Sequence, residues 1–279
     1  MRLSERDVRQ FEDQGYLFFP ELFSAKEVGV LRRDLPAIFA QDRPENVREK
    51  DGTTIRTAFA VHTYDEAFRR LARHPRLVLP VAQLLGGAVY IHQFKINAKA
   101  AFDGDVWQWH QDYGTWARDD LMPEAAAMNV ALFLDDVTEF NGPLFFIPKS
   151  HRRGVLEAGH DRVTTSYPLW TLDHETVTRL VAEGGLVAPK GRAGSVLLFH
   201  GNLVHGSPGN LSPWSRTIVY ISACRVDRHI RQFKRPAWIA HRDFTPIACL
   251  PDDCLQDRVV SAAQAPPEAD STTAGRARA

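Results

Sequence analysis

The sequence predicts a mainly β protein with N-terminal helices, whose strands form a double-stranded β-helix, that is, a jelly-roll or cupin-like barrel. Two observations lead to this fold class. Before Val89 the apolar residues have the spacing of amphipathic helices, whereas from Val89 onward they alternate with polar ones, as in half-buried strands. The later strands follow one another without repeats, which is typical of an antiparallel double-sheet barrel.

The segment before Val89 predicts helices around a single strand. Ser4 opens a capping box, and Gly15 is a residue that ends helices. A second capping box at Ser24 opens a helix with an apolar face of Val28, Leu31, Leu35 and Phe39. The remaining predictions here are, in order, a strand over 16–20, a loop over 41–54, and helices over 62–73 and 75–85.

The strands of the barrel are predicted from residue 89 to residue 222. The predicted elements are strands over 89–97, around His110, and over 128–134, 144–148, 194–200 and 217–222, with one helix over 173–182. We expect residues 1–260 to form a single domain. The tail 261–279 is rich in Ala, Pro, Thr and Arg, and is predicted to be disordered.

Composition limits the kinds of partner. With 279 residues and 44% hydrophobic content, the chain can bury a full core. Its 34 basic and 34 acidic residues balance, which argues against a nucleic-acid or membrane-surface protein. No apolar run approaches the ~18 residues of a membrane span. The three cysteines form no C-x-x-C pair and no signal peptide is visible, so we expect a cytoplasmic protein, monomeric or homodimeric.

The most informative motif is His110-x-Asp112. Residues i and i+2 of an extended strand point to the same face, so an imidazole and a carboxylate converge there. A distant histidine on a strand folded back beside the first, best His205, would complete the two-histidine, one-carboxylate triad of non-heme Fe(II) oxygenases. Another H-x-D, at His241, has no histidine after it and no strand pattern around it. Taken alone, His110 could instead be a hydrogen-bonded, half-buried histidine.

Arg216 lies at the start of the strand that follows His205. We expect neighbouring strands to bring its guanidinium beside the metal site, where it can bind a carboxylate with two hydrogen bonds. A dicarboxylate that chelates the metal at one end would reach Arg216 with the other, and the Ser207 hydroxyl can donate to the same group. Otherwise Arg216 is a surface ion-pair residue and Ser207 a turn residue.

The chain resembles the phytanoyl-CoA dioxygenase family of Fe(II)/2-oxoglutarate oxygenases in the order His110-Gln111-Asp112, His205-Gly206-Ser207, Arg216. Within it, the chain is most similar to bacterial enzymes that hydroxylate free L-amino acids, of the L-proline 4-hydroxylase and L-leucine hydroxylase type. The ectoine hydroxylases are the next neighbours. The stretches that carry the likeness are Lys50–Arg56, His92–Lys99, Gly104–Trp107, Trp109–Asp112, Asn141–Leu144 and Arg242–Pro246.

The resemblance implies roles for individual residues. Iron ligands fall on His110, Asp112 and His205, and 2-oxoglutarate contacts on Arg216, Ser207 and Asn129. Substrate contacts fall on Gln93 and Trp116, which otherwise serve as a hydrogen bonder along the strand ladder and a core aromatic. A zwitterionic substrate also needs a cation for its carboxylate and a partner for its ammonium, for which the candidates are Arg56, Arg118 and His62.

The resulting hypothesis is a dioxygenase that uses Fe(II), 2-oxoglutarate and O₂, helped by ascorbate. It would hydroxylate an unactivated C–H of a small free amino acid, Leu- or Pro-like, and release succinate and CO₂. Another small zwitterion, such as ectoine or an aminoalkylphosphonate, is the alternative substrate. Two other classes stay open from the residues alone, a metal hydrolase with the same triad and a non-catalytic metal-binding barrel.

Overall fold

The computed structural model of the protein describes residues 1–164 and 167–256. The predicted tail 261–279 lies outside these residues. The helices of the described part are α1 (Glu5–Gln14), α2 (Ala25–Ala40), α3 (Glu66–Leu71), α4 (Pro75–Leu85), α5 (Asp112–Asp119) and α6 (His174–Gly184), with short 3₁₀ helices at Val61–Thr63, Ser150–Arg153 and Val226–Arg228.

The strands form antiparallel sheets. Their bounds are β1 (Tyr16–Phe19), β2 (Asn46–Arg48), β3 (Ile55–Phe59), β4 (Val89–Lys99), β5 (Trp107–His110), β6 (Ala127–Phe133), β7 (Phe145–Phe146), β8 (Gly159–Asp161), β9 (Leu169–Thr171), β10 (Val196–His200), β11 (His205–Ser207) and β12 (Arg216–Arg225). The large sheet has the order β1-β10-β6-β12-β4-β3-β2, a smaller sheet the order β5-β11-β7, and β8 pairs with β9. These sheets do not close into a continuous barrel.

The large sheet is buried on both faces. On β6, Val130 and Leu132 pack into one apolar cluster with helices α2, α3 and α4. Ala131 and Phe133 point the other way, into a cluster that includes Phe146 of the smaller sheet. This alternation follows from the two-residue period of a strand. The helices therefore cover the outside of the large sheet, and the space between the two sheets is left for the site.

The mainly β, jelly-roll-type fold with N-terminal helices is confirmed, and most local predictions agree with it. Ser4 and Ser24 form capping boxes, and Gly15 ends α1 with φ 83°. The region predicted as a loop over 41–54 contains β2, and β3 follows it directly. These two strands were missed because short strands without alternation carry no periodic signal.

Two predictions about the site's strands were wrong. Asp112 does not share a strand with His110, because β5 ends at His110 and Asp112 is the first residue of α5. The two side chains still converge because Gln111 between them keeps an extended backbone, with φ −120° and ψ 126°. Arg216 begins β12 as predicted, but β12 belongs to the large sheet and is not a neighbour of β11. Arg216 therefore approaches from the facing sheet.

No helix in the described ranges is long and apolar enough to cross a membrane.

Candidate active site

Two strands of the smaller sheet bring the two histidines together. β11 runs antiparallel to β5, and His205 is the register partner of His110. The centroids of their rings lie 4.1 Å apart, and both side chains are buried. The predicted folding back of the His205 strand beside the His110 strand is thus confirmed.

The Asp112 carboxylate completes the cluster from the first turn of α5. Its Oδ1 lies 3.8 Å from Nε2 of His110, and its Oδ2 lies 3.5 Å from Nε2 of His205. One nitrogen or oxygen atom from each of the three residues falls within 4.8 Å of the others. Among the described residues, this is the only group of three or more His, Cys, Asp or Glu side chains close enough together to hold a metal ion.

Backbone carbonyls orient both imidazoles toward the shared point. Nδ1 of His110 donates to the Gln108 carbonyl at 2.6 Å, and Nδ1 of His205 donates to the Leu203 carbonyl at 2.9 Å. With the proton on Nδ1, the Nε2 lone pairs face the carboxylate and are available to a metal. Burial, with a smaller effect of His205, lowers the pKa of His110 to about 3, so it stays neutral as a ligand must.

The carboxylate of Asp112 is held in place by a buried chain of hydrogen bonds. Asn129 Nδ2 donates to Asp112 Oδ2 at 2.8 Å, and the Ser222 hydroxyl donates to Asn129 Oδ1 at 2.7 Å. Burial alone would raise the pKa of Asp112, but the charge of Lys95 and the other neighbours lower it to about 2. Asn129 therefore contacts the candidate metal ligand, and its expected contact with 2-oxoglutarate stays a prediction.

Arg216 is a buried cation without a complete set of acceptors. It is 1% exposed, and its Nε and Nη1 atoms have no hydrogen-bond partner among the described residues. Burial lowers the pKa of its guanidinium, and the closest groups that oppose this are Tyr220 and Asp135. Buried guanidinium nitrogens without acceptors are costly unless an anion pairs with them, so the site fits a carboxylate ligand at this point.

Ser207 and Lys99 lie close to the Arg216 end of the site. The Ser207 hydroxyl donates to the Gly142 carbonyl at 2.9 Å and is buried. Lys99 is the register partner of Arg216, and its ammonium donates to the carbonyls of Pro208, at 2.7 Å, and Asp105. Lys99 ends the stretch His92–Lys99 that resembles the family, but the sequence analysis assigned it no role. Burial, and after it the charge of Arg216, lowers the pKa of this ammonium to about 6.

The predicted substrate residues are distributed over several places. Gln93 is buried and its amide donates to the Ile239 carbonyl at 3.2 Å, which ties the C-terminal segment to β4. Trp116 is 1% exposed and packs in an apolar cluster. His62 stacks on Phe94, on the helix-covered side of β4, and lines a separate cavity of about 710 Å³. Burial lowers the pKa of His62 to about 3.

The two predicted arginine partners of the substrate are engaged by the protein itself. Arg56 forms an ion pair with Glu49 at 3.1 Å, donates to the Val106 carbonyl and lies over the Trp107 ring. Arg118 donates to the carbonyls of Gly114, at 2.7 Å, and Leu156, at 2.8 Å. Their roles toward a substrate stay predictions.

A buried network that the sequence analysis missed lies beside the triad. Arg235 donates to both carboxylate oxygens of Asp120, which also accepts from Nε2 of His92 at 2.8 Å. Burial lowers the pKa of Lys95 and raises that of Tyr167, and the positive charge of Arg235 has a smaller, lowering effect on both. Asp120 lies 115 positions earlier in the chain, so no local pattern could have revealed the pair.

Aromatic side chains form one wall next to this network. The Phe59 ring lies 5.5 Å from that of Trp238 and 6.1 Å from that of Tyr167, which is 5.8 Å from the Trp107 ring. Such a wall excludes water and packs against an apolar body. Together with the cations, it suits a small molecule that has a carboxylate and an apolar part.

The fold and this site define an oxygenase-type metal centre, and the family match agrees. Residues 11–218 match the phytanoyl-CoA dioxygenase family, and the chain belongs to that family. This membership makes the protein a dioxygenase, and it decides against the hydrolase and the non-catalytic barrel that the residues alone left open.

The relatives extend over nearly the whole chain. It is 37% identical to an L-proline trans-4-hydroxylase from Streptomyces griseoviridis, covering 91% of this chain and 98% of the relative. It is 35% identical to an ectoine dioxygenase from Halomonas elongata, covering 86% of this chain and 76% of the relative. The crystal structure of EctD from S. alaskensis with 2-oxoglutarate and 5-hydroxyectoine has a TM-score of 0.80 at 32% identity, covering 89% of this chain and 87% of that one.

Proposed function

We propose that this protein is an Fe(II)- and 2-oxoglutarate-dependent dioxygenase that hydroxylates an unactivated C–H of a small free L-amino acid, releasing succinate and CO₂. The observations that carry the proposal are the buried triad of His110, Asp112 and His205 and the buried guanidinium of Arg216, whose Nε and Nη1 have no acceptor among the described residues. A dicarboxylate that chelates a metal at one end and meets a cation at the other satisfies both.

Iron would be held by Nε2 of each histidine and by the Asp112 carboxylate. When bound, iron together with 2-oxoglutarate and O₂ supplies the oxidising chemistry. The chain orients the ligands through Gln108, Leu203 and Asn129, and it keeps water away from the reacting centre by burying the triad.

The far carboxylate of 2-oxoglutarate would pair with Arg216, with the Ser207 hydroxyl as a second contact. In this pairing Nε and Nη1 of Arg216 gain the acceptors that the protein itself does not provide. The Ser207 hydroxyl can rotate from the Gly142 carbonyl toward the incoming carboxylate.

We assign the substrate's carboxylate to Arg235. Nε and Nη2 of Arg235 donate hydrogen bonds to the Asp120 carboxylate. The positive charge of Arg235 also acts on Lys95. The apolar body of the substrate would lie against Phe59 and Trp238. Because the network is buried, an uncharged analogue would leave it partly unpaired, and buried unpaired groups reject ligands strongly.

The names of the relatives narrow the range of candidate substrates. One acts on L-proline and others on ectoine, by their names, and both compounds are small and carry a carboxylate beside a nitrogen-containing ring. We favour a free Pro- or Leu-like amino acid, because the hydroxylase of L-proline matches over 98% of its own length. Ectoine is the second candidate, supported by the fold similarity to EctD. An aminoalkylphosphonate is the third zwitterion to test.

The test is a panel assay with Fe(II), 2-oxoglutarate, ascorbate and O₂. L-Proline, L-leucine, other L-amino acids, their amides, ectoine and an aminoalkylphosphonate are each incubated with the enzyme. Succinate and the mass gain of one oxygen atom are then measured. We expect a free amino acid to be turned over and its amide to react much more slowly. Equal turnover of the amide would contradict the amino-acid assignment, and turnover of ectoine alone would replace it.

We also propose that residues 1–260 form one domain, working in the cytoplasm as a monomer or homodimer. The proposal is supported by the shared apolar core of the helices and the large sheet, and by three cysteines that form no disulfide. Light scattering of the purified protein and fractionation of the producing cells test the two parts.

A further inference from the structure

A second cavity lies apart from the triad, between helix α3 and the C-terminal segment 237–248. Its volume of about 710 Å³ falls within the range of about 300–1,000 Å³ that small-molecule sites occupy. Backbone hydrogen bonds from His241 to His92 and from Ile247 to Val89, at 2.8 and 2.9 Å, fix the segment along β4. The cavity is therefore part of the fold, although neither the triad nor the arginines assigned to the two carboxylates line it.

Trp238 lies between this cavity and the aromatic wall of the candidate active site. Its side chain lines the cavity, and the centroid of its ring lies 5.5 Å from that of Phe59. An occupant of the cavity would therefore contact the same indole that we place against the apolar body of the substrate. The two sites are neighbours, but their polar groups are different.

His62 is a polar group of this cavity without a partner. In the part of the chain that the structure describes, neither of its ring nitrogens makes a hydrogen bond. Its ring stacks on Phe94 at 4.6 Å and meets the edge of the His241 ring at 4.8 Å, so its orientation is fixed. Burial, and after it the charges nearby, keeps the pKa of His62 low. The ring is thus a neutral imidazole with a donor and an acceptor to offer.

Arg73 supplies a guanidinium with unused donors. Its Nε donates to the Ala248 carbonyl at 2.9 Å, and its two terminal nitrogens make no hydrogen bond or ion pair with a described residue. Arg69, which also lines the cavity, is instead held by Glu66 at 2.7 Å and by the Thr63 carbonyl at 2.9 Å. A guanidinium that is fixed at Nε presents its terminal nitrogens as a fork, which suits a carboxylate.

The cavity also has a carboxylate and apolar surface. Asp243 lines it, and its carboxylate is hydrogen-bonded to Thr245, not paired with an Arg or Lys among the described residues. Ile91 and Ile247 add apolar surface beside Trp238. A guanidinium, a carboxylate and apolar groups around one space are complementary to a zwitterion that carries an apolar side chain.

We propose that this cavity is a second binding site for a free amino acid with an apolar side chain, distinct from the site at the triad. Arg73 binds the carboxylate, and Asp243 and the neutral ring of His62 bind the ammonium. The apolar side chain lies against Trp238. This assignment goes beyond the proposed function and rests on the cavity's own groups, so the two can be tested separately.

The experiment counts bound amino acid by equilibrium dialysis of labelled L-leucine and L-proline. The protein is loaded with Fe(II) and 2-oxoglutarate, and O₂ is excluded. Wild type is compared with Arg73→Met, Ala248→Trp and the control Arg179→Met. Ala248 is exposed at the cavity, so Trp fills the space there without disturbing the core, whereas Arg179 is exposed on α6, away from the cavity. Thermal unfolding checks that each variant is folded, and the KM for the hydroxylated amino acid is measured with O₂ present.

We expect wild type to bind one molecule per chain of at least one of the two amino acids in addition to any at the triad. Arg73→Met should weaken the binding of this molecule by about ten- to a hundred-fold, the effect of losing a charge-assisted hydrogen bond. Ala248→Trp should abolish its binding, and Arg179→Met should leave it unchanged. The KM should not follow these losses.

Unchanged binding in Arg73→Met, or equal numbers of molecules bound by wild type and Ala248→Trp, would overturn the inference. So would a KM that rises in step with the loss of binding, because the cavity would then belong to the substrate site. If wild type hydroxylates no amino acid, yet both cavity variants lose a bound molecule, the proposed function fails and the second site stands.

Discussion

Replacing Arg216 by Met should make the protein without cosubstrate more stable and its 2-oxoglutarate binding weaker. Met is a straight side chain of similar length, so it fills the buried space without the charge. In the free protein, Nε and Nη1 of Arg216 are buried without acceptors, and each such group costs about 1–3 kcal/mol. Replacing a buried charge by an apolar side chain is often stabilising by about 1–4 kcal/mol.

The same change removes the partner of the far carboxylate. Loss of a hydrogen bond to a charged group costs about 1.5–3 kcal/mol, or about ten- to a hundred-fold in affinity. The assay pairs thermal unfolding of the protein without 2-oxoglutarate with calorimetric titration of 2-oxoglutarate into the iron-loaded protein. For a chain of this size, each kcal/mol shifts the melting temperature by about 2–4 °C.

Arg192→Met is the matched control, because Arg192 is exposed. It should change neither quantity. If Arg216→Met binds 2-oxoglutarate as tightly as wild type, the cosubstrate does not use this guanidinium. If instead the variant without cosubstrate is less stable than wild type, the interactions of Arg216 within the protein outweigh the cost of burying its charge.

Three further predictions concern the triad and its surroundings. His205→Ala should abolish both iron binding and succinate formation while the circular dichroism spectrum stays that of wild type, and near-native succinate formation would show that the triad is misassigned. Asn129→Ala should weaken iron binding by about ten- to a hundred-fold, because it frees Asp112 Oδ2, and iron titration measures this. Asp120→Asn should destabilise the fold by about 3–5 kcal/mol in urea unfolding and raise the KM for the amino acid, because it leaves Arg235 and His92 without their carboxylate; an unchanged KM would remove Arg235 from the substrate site.

Much of the site could be predicted because its residues stand in short motifs. His110 and Asp112 are two positions apart, and the loop between His205 and Arg216 is rich in Gly, Pro, Asn and Ser, so both local conformations can be read from the chain. The long strands were predictable for a similar reason, since β4 alternates along its length. β2 and β3 were not, because short strands depend on their neighbours in the sheet more than on their own pattern.

The sequence by itself determined the chemistry of the metal centre, because two histidines, one carboxylate and an arginine in this order already define ligands and an anion partner. It also determined the layering, since the side chains of β6 alternate between the two faces of the large sheet. Only the tertiary structure decided which cations face that centre. Arg56, Arg118 and Arg235 are each engaged by groups of the protein, whereas Lys95 lies 4.0 Å from the Asp112 carboxylate and Arg216 keeps two nitrogen atoms without acceptors among the described residues. The physical reason is that a charge becomes available to a ligand only when folding leaves it without a closer partner, and those partners come from distant segments.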